Sequence, residues 1–228
     1  VKKLQRAAAL LIGTTSATVL ATVGVVPAHA ERWVSADPAG DVAHHAMPDP
    51  ETEDPDPCMD GTEAPATEET TTDLTRVSVR HRPRSVALAL TVRELGDERW
   101  FASLPLLADT GAYQIDAWRI DADGVVRWGF SRLGRTFPEP KVNEDGCSTY
   151  AYVTTMRECR GRRASVDADH DRLILRIPRR CLNAPRWVRV GASTSRVEGT
   201  DFYVDQWTPN GRPSTEVFGP LGPKVRRG

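Results

Sequence analysis

The stretch "RSVALALTVREL", Arg84 to Leu95, decides the fold class. Val86, Leu88, Leu90 and Val92 fall on one side of an extended chain, and Ser85, Ala87, Ala89 and Thr91 fall on the other. Side chains of a strand alternate between its two faces, so this period of two predicts a strand buried on one side. "LTRVSVRH" (74–81) repeats the rule with Val77 and Val79, and "RWVRVGAS" (186–193) sets Val188 and Val190 against Trp187 and Arg189. No stretch after residue 30 carries a helical stripe. Strands are expected at 74–81, 85–95, 99–108, 112–121, 124–132, 148–156, 163–168, 172–178 and 186–194, with a tenth at 201–207. Short alternating strands without helices predict an all-β domain, a single antiparallel, jelly-roll-like β-sandwich over 74–210, followed by a tail at 211–228.

Two hairpins sharpen this expectation. In "DAWRIDADGVVRWGF" (116–130), Asp121-Ala122-Asp123-Gly124 suits a turn with glycine in the left-handed position. Folding there sets Trp118 opposite Trp128, Ile120 opposite Val126, and Arg119 opposite Arg127. In "RECRGRRASVDADHDRLILRIPRRC" (157–181), folding about Asp169 to Arg172 pairs Ala168 with Leu173, Val166 with Leu175 and Ala164 with Ile177. Extended outward, that register brings Cys159 within one position of facing Cys181.

The amino-terminal region differs in kind. Lys2, Lys3 and Arg6 precede an uncharged run from Ala7 to Val26, and "VPAHAE" supplies a small-residue cleavage box. Residues 1–30 therefore read as a signal peptide cut between Ala30 and Glu31, giving a secreted, extracellular product with no membrane insertion after cleavage. From Trp33 to Thr75 there are 12 acids and no Lys or Arg; from Arg76 onward 26 basic residues face 18 acids. Residues 31–73 thus read as an acidic, Pro- and Thr-rich, largely irregular arm ahead of a basic domain.

Four cysteines, Cys58, Cys147, Cys159 and Cys181, form no C-x-x-C pair. An even number in an exported chain predicts two disulfides. The hairpin register favours Cys159–Cys181. "STYAYVTTM" between Cys147 and Cys159 reads as an extended strand that would hold those two apart, which leaves Cys58–Cys147 by elimination.

Candidate chemistry is sparse. Asp37 and Asp41 in "ADPAGDV", with Asp73 in "TTDLT", offer hard oxygen ligands for calcium. "DPAGDV", "DLTRVSVRH" and "SVALALTVREL", across residues 35–95, resemble the opening of DOMON-like and family 9 carbohydrate-binding-module-like secreted β-sandwiches, here with a long acidic insertion between the first and second motifs. The resemblance implies a β-sandwich that binds calcium, sugar or haem, as some members of those groups do. No serine sits in G-x-S-x-G, and neither a His-Glu-x-x-His motif nor a glycine-rich phosphate loop occurs. His44 and His45 are adjacent and read as solvated arm residues, His81 as a structural imidazole and His170 as a turn residue.

The leading expectation is a non-enzymatic binding or surface-interaction module for a glycan or cell-wall polymer, with Trp187 and Arg189 as a ligand face. A sugar-binding form requires at least two exposed tryptophans on one concave face. The rivals are a secreted hydrolase, for which no carboxylate pair is singled out, and a polyanion binder using Arg76, Arg80, Arg82 and Arg84 or the arginines beside the staple. Nucleic acid is not favoured, because the arm's acids sit at high effective concentration beside the basic domain.

Overall fold

A computed structural model describes residues 31–46, 63–96, 99–119, 125–139, 141–142, 148–149, 155–156, 158–208 and 218–228. The proposed signal segment, its cleavage site and the Cys58–Cys147 pairing lie outside the described residues.

Among the described residues seventeen strands run in chain order: β1 (Glu31–Ala36), β2 (Ala43–Ala46), β3 (Glu63–Pro65), β4 (Leu74–His81), β5 (Ser85–Val92) and β6 (Trp100–Ala108). There follow β7 (Gly111–Arg119), β8 (Arg127–Gly134), β9 (Lys141–Val142), β10 (Ser148–Thr149), β11 (Thr155–Met156) and β12 (Arg163–Asp167). The last are β13 (Arg172–Pro178), β14 (Trp187–Val190), β15 (Ser193–Glu198), β16 (Asp201–Gln206) and β17 (Val225–Arg226). One sheet has the order β1-β4-β5-β13-β12. The larger has the order β11-β8-β7-β6-β15-β16-β2-β3, with β14 and β17 attached through β6; β9 and β10 form a separate pair. Every pairing is antiparallel, as the alternation predicts.

The core fills the space between the two sheets. Val77, Val79, Val86, Leu88, Leu90, Leu173, Leu175 and Ile177 come from the smaller sheet, and Leu104, Leu106, Tyr113, Ile115 and Phe130 from the larger. Each buried aliphatic or aromatic side chain contributes roughly 1.5–3 kcal/mol, so the alternating runs that define the strands also supply the stability.

Several expectations need correction. The 116–130 hairpin pairs Trp118 with Arg127 and Ala117 with Trp128. Inward packing of Tyr113, Ile115 and Ala117 sets the phase of β7 and turns Trp118 outward, away from Trp128. In the second hairpin Val166 faces Leu173 and Ala164 faces Leu175, because a 3₁₀ turn at Ala168–His170 centres the bend one residue earlier than expected. That slip is two residues, which keeps every side chain on its own face. The staple is present: Cys159 and Cys181 are bonded, with Cα atoms 5.7 Å apart.

Residues 186–194 are not one strand. β6 pairs with β15 along 101–103 and with β14 along 106–108, and Pro105 lies between. The carbonyl of Pro105 accepts from Gly191 N–H, so its ring nitrogen, which has no hydrogen to donate, points to the same side. The partner strand breaks there, at Gly191–Ala192.

The arm and tail are also partly strands. Glu31–Ala36 pairs along its whole length with Arg76 to His81 of β4, and β2 and β3 extend the larger sheet. Averaging composition over 31–73 hides "ERWVSA", which alternates like any edge strand. At the other end, Val225–Arg226 pairs with β14. His81 is buried and neutral: burial lowers its affinity for a proton, and Nδ1–H donates to the Val225 carbonyl at 3.1 Å. His44 is no solvated arm residue either, since its Nε2 lies 2.6 Å from an oxygen of Asp201.

Leu88 is 1 % exposed, whereas Ala87 beside it faces outward. Leu88→Ala is expected to lower unfolding free energy by about 2–5 kcal/mol and Ala87→Ser to change it by about 0.5 kcal/mol or less, as read by chemical denaturation.

Candidate functional site

Among the described residues, the turn that follows β1 carries the strongest concentration of chemistry. Leaving β1, the backbone is held by Asp37 N–H donating to Thr75 O at 3.0 Å, at a bulge where the β4–β5 register shifts between Leu74 and Arg76. Such bulges re-aim a strand, and here the freed carbonyl receives the incoming turn. Gly40 takes φ +82°, a left-handed conformation that favours glycine, and donates its N–H to Asp73 Oδ2 at 2.9 Å. The turn "DPAGD" is thereby closed against the start of β4.

Oxygens of Asp37, Asp41 and Asp205 all lie within 4.8 Å of one another. Asp205 comes from β16 and accepts Leu74 N–H at 2.6 Å; Asp37 Oδ1 accepts Thr208 N–H at 2.9 Å. Asp73 is fully buried behind them and shares Oδ2 with Arg93 at 3.3 Å. Asp37 and Asp205 are buried as well, while Asp41 forms the solvent side. Two buried carboxylate oxygens, Asp37 Oδ2 and Asp73 Oδ1, have no hydrogen-bond partner, nor do the hydroxyls of Thr72 and Thr208.

So many acids with so little compensation resist ionisation. Burial, with Asp41 and Asp73 close by, raises Asp37 to about 7 despite the Thr208 N–H. Burial, with Asp41, Asp37 and Asp73 around it, raises Asp205 to about 8 despite the Leu74 N–H. Asp41 is raised too, by partial burial and by Asp73. Either protons or a cation must neutralise such a group.

The donor set fits a hard divalent cation. Calcium takes six to eight oxygens at about 2.3–2.6 Å, so two oxygens on one ion stand no more than roughly 4.6–5.2 Å apart. Asp37, Asp41 and Asp205 satisfy that bound. Of the expected trio, Asp37 and Asp41 do meet. Asp73 adjoins them but spends one oxygen on Gly40 and Arg93, and Asp205 takes the third place. Asp205 is far away in sequence; its one local signal is an acid inside the strand "DFYVDQ".

The expected ligand face at Trp187 and Arg189 is occupied by the chain itself. Arg189 donates to the carbonyls of Gly222 and Leu221, and Lys224 lies 4.6 Å from the centre of the Trp187 ring. The pairing of β17 with β14 draws the carboxy-terminal segment across that face. Of the arginines beside the staple, Arg179 donates to the carbonyls of Pro83, Ala184 and Pro185 and Arg180 to that of Arg160, while Arg160, Arg163 and Arg180 are exposed. An open groove of about 630 Å³ lies instead on the outer face of the larger sheet, lined by Trp118, Phe101, Asp116 and Ser195 and flanked by arginines. Trp100 and Trp207 are buried, so the aromatic partner of Trp118 there is Phe101 rather than a second exposed tryptophan.

No family model matches the chain, and no curated protein or solved structure compared with it is significantly similar. The functional reading therefore stands on the chemistry of the residues themselves.

The carboxylate cluster dictates a pH dependence. Asp37 and Asp205 hold their protons more tightly in the folded chain than at the ordinary value of 3.8. Their contribution to stability is complete below about pH 4 and is lost as pH rises through about 7 to 8. In EDTA, the melting temperature is expected to fall between pH 5 and pH 8.5, and saturating calcium to flatten that fall, as read by differential scanning fluorimetry across the range.

Proposed function

We propose that the chain is an exported, disulfide-stapled binding module without catalysis of its own, in which a calcium ion ties the amino-terminal strand to the sandwich. The observation that carries this reading is the convergence of Asp37, Asp41 and Asp205 beside two buried carboxylate oxygens that have no partner. A cation there would neutralise charges from the turn after β1 and from β16, next to the first residue of β4. Calcium is favoured over magnesium because irregular carboxylate and hydroxyl sets suit its flexible coordination, whereas magnesium demands a near-ideal octahedron.

Export is supported by the Cys159–Cys181 bond, since such bonds persist in oxidising compartments. Among the described residues no helix is long and apolar enough to cross a membrane. A binding role is favoured over hydrolysis by the groove's composition. Glycoside hydrolysis uses two carboxyl groups about 5–9.5 Å apart, and among the described lining residues Asp116 is the one acid. The surplus of positive charge is partly met within the chain, as where Glu69 holds Arg196 at 2.5 Å, which weighs against a general polyanion binder.

Calcium at 100 times its dissociation constant is expected to stabilise the protein by about 2.7 kcal/mol, and Asp205→Asn to abolish that response. Thermal unfolding with calcium and with EDTA reads it; a wild-type melting temperature indifferent to both overturns the calcium site. Mass spectrometry of unreduced secreted protein is expected to find an amino terminus at Glu31 and Cys159 joined to Cys181. Recovery of both as free thiols from secreted material would refute the exported, stapled reading.

A further inference from the structure

The outer face of the smaller sheet escapes the internal neutralisation seen at Arg196. Register lays it out in three rows across β1, β4, β5, β13 and β12. One row is Arg32, Arg80, Ala87, Arg176 and Arg163. The next is Val34, Ser78, Ala89, Ile174 and Ser165, and the third is Ala36, Arg76, Thr91, Arg172 and Asp167. Side chains two apart along a strand share a face, so all three rows lie opposite the core residues Val77, Val79, Leu88 and Leu175.

Arg32, Arg76, Arg80, Arg163 and Arg176 are exposed. Asp167 is the one acid in the three rows, and its oxygens are taken by His170 and Arg172. Among the described residues the five exposed arginines form no ion pair. In the first row arginine stands directly opposite arginine twice, Arg32 against Arg80 and Arg176 against Arg163. Like charges directly opposite one another destabilise a sheet. Charge on β1 and β12 guards the edges of the sheet against pairing with other chains, but β4 and β13 are interior strands, which need no such guard. The repulsion at Arg80 and Arg176 therefore points outward, to an anionic partner.

Neighbouring strands lie about 4.8 Å apart, so this row crosses roughly 19 Å of sheet over a floor of small residues, Ala87, Ala89 and Ser78. Guanidinium groups bind phosphate oxygens through paired, charge-assisted hydrogen bonds. No aromatic side chain falls in the three rows, so neither a sugar ring nor a nucleobase finds a platform to stack on, and charge is what the face has to offer. We propose that this face binds an extended polymer of phosphodiester-linked polyols, laid across the strands along Arg32, Arg80, Arg176 and Arg163. The proposal rests on the binding-module reading and names a ligand class for it, at residues distinct from the carboxylate cluster.

Fluorescence anisotropy of a labelled glycerol-phosphate oligomer, titrated with the full mature chain, tests it. Binding is expected, and its affinity should fall about tenfold or more as salt rises from about 50 to about 200 mM, through release of counterions. The double variant Arg80→Gln/Arg176→Gln should bind about tenfold or more weakly, with a shallower salt dependence. Its melting temperature should equal or exceed that of wild type, because opposed like charges are removed. Arg135→Gln, exposed just past β8 of the other sheet, should bind as wild type does. No binding by wild type, the result expected if the chain's own acidic stretch 49–60 takes the polymer's place, overturns the proposal. So does a double variant that binds as tightly as wild type, or an equal loss in Arg135→Gln. Tetragalacturonate, a single-stranded DNA oligomer or a phosphatidylglycerol vesicle bound as tightly as the polyol phosphate overturns it as well. A melting temperature that still responds to calcium in any of these cases leaves the metal site standing, whereas loss of that response with polymer binding intact removes the metal and keeps this face.

Discussion

Four carboxylates are gathered in one place, and the fold has to accommodate their repulsion. Asp37, Asp41, Asp73 and Asp205 come from the turn after the first strand, from the residue before β4 and from the end of β16, and three of the four are buried. The three buried ones are pinned by backbone or side-chain donors: Asp37 by Thr208, Asp73 by Gly40 and Arg93, Asp205 by Leu74. Two of these contacts, Asp37 with Thr208 and Asp205 with Leu74, join segments separated by more than a hundred residues, so the cluster fixes where β1 docks and how the two sheets meet at that end. Unpaired buried charge is among the most expensive features a protein can carry. Its retention at the junction of three segments is what makes a neutralising ion the economical reading.

The aromatic packing follows the same junction. Trp33 of β1 meets Trp207 edge to face with ring centres 5.0 Å apart, and Trp207 lies between the anchors Asp205 and Thr208. Gly222 presses against the Trp33 ring so closely that a methyl group there would collide with it. The first strand, the segment after β16 and the carboxy-terminal segment are therefore wedged together on one side of the sandwich.

Local patterns were the legible part of this chain. Alternation in 74–81, 85–92 and 172–178 identified the strands, and the staple followed from two cysteines flanking a hairpin. The Asp37 and Asp41 pair was visible because a turn motif places both acids within five residues. What escaped depended on contacts distant in sequence. Asp205 joins the cluster only through the packing of β16, and the outward turn of Trp118 is set by the core phase of Tyr113, Ile115 and Ala117. The arm misled for a different reason: a run of acids dominates its average composition, while "ERWVSA" at its start alternates well enough to pair. Pro105, unremarkable in the text of the sequence, divides a neighbouring strand in two because its nitrogen faces that neighbour.

Among the described residues β1 is the edge of its sheet, bonded to β4 on one side and to no strand of that sheet on the other. Its exposed Val34 and short length make it a modest guard, yet behind it runs β4, longer and carrying Val77 and Val79. Were the turn at Asp37 to lose its grip, β4 would offer a row of bare amide and carbonyl groups, which is the template on which separate chains aggregate. The aspartate-lined turn therefore has a consequence apart from any ligand: it keeps the hydrogen-bonding rim of this sheet capped.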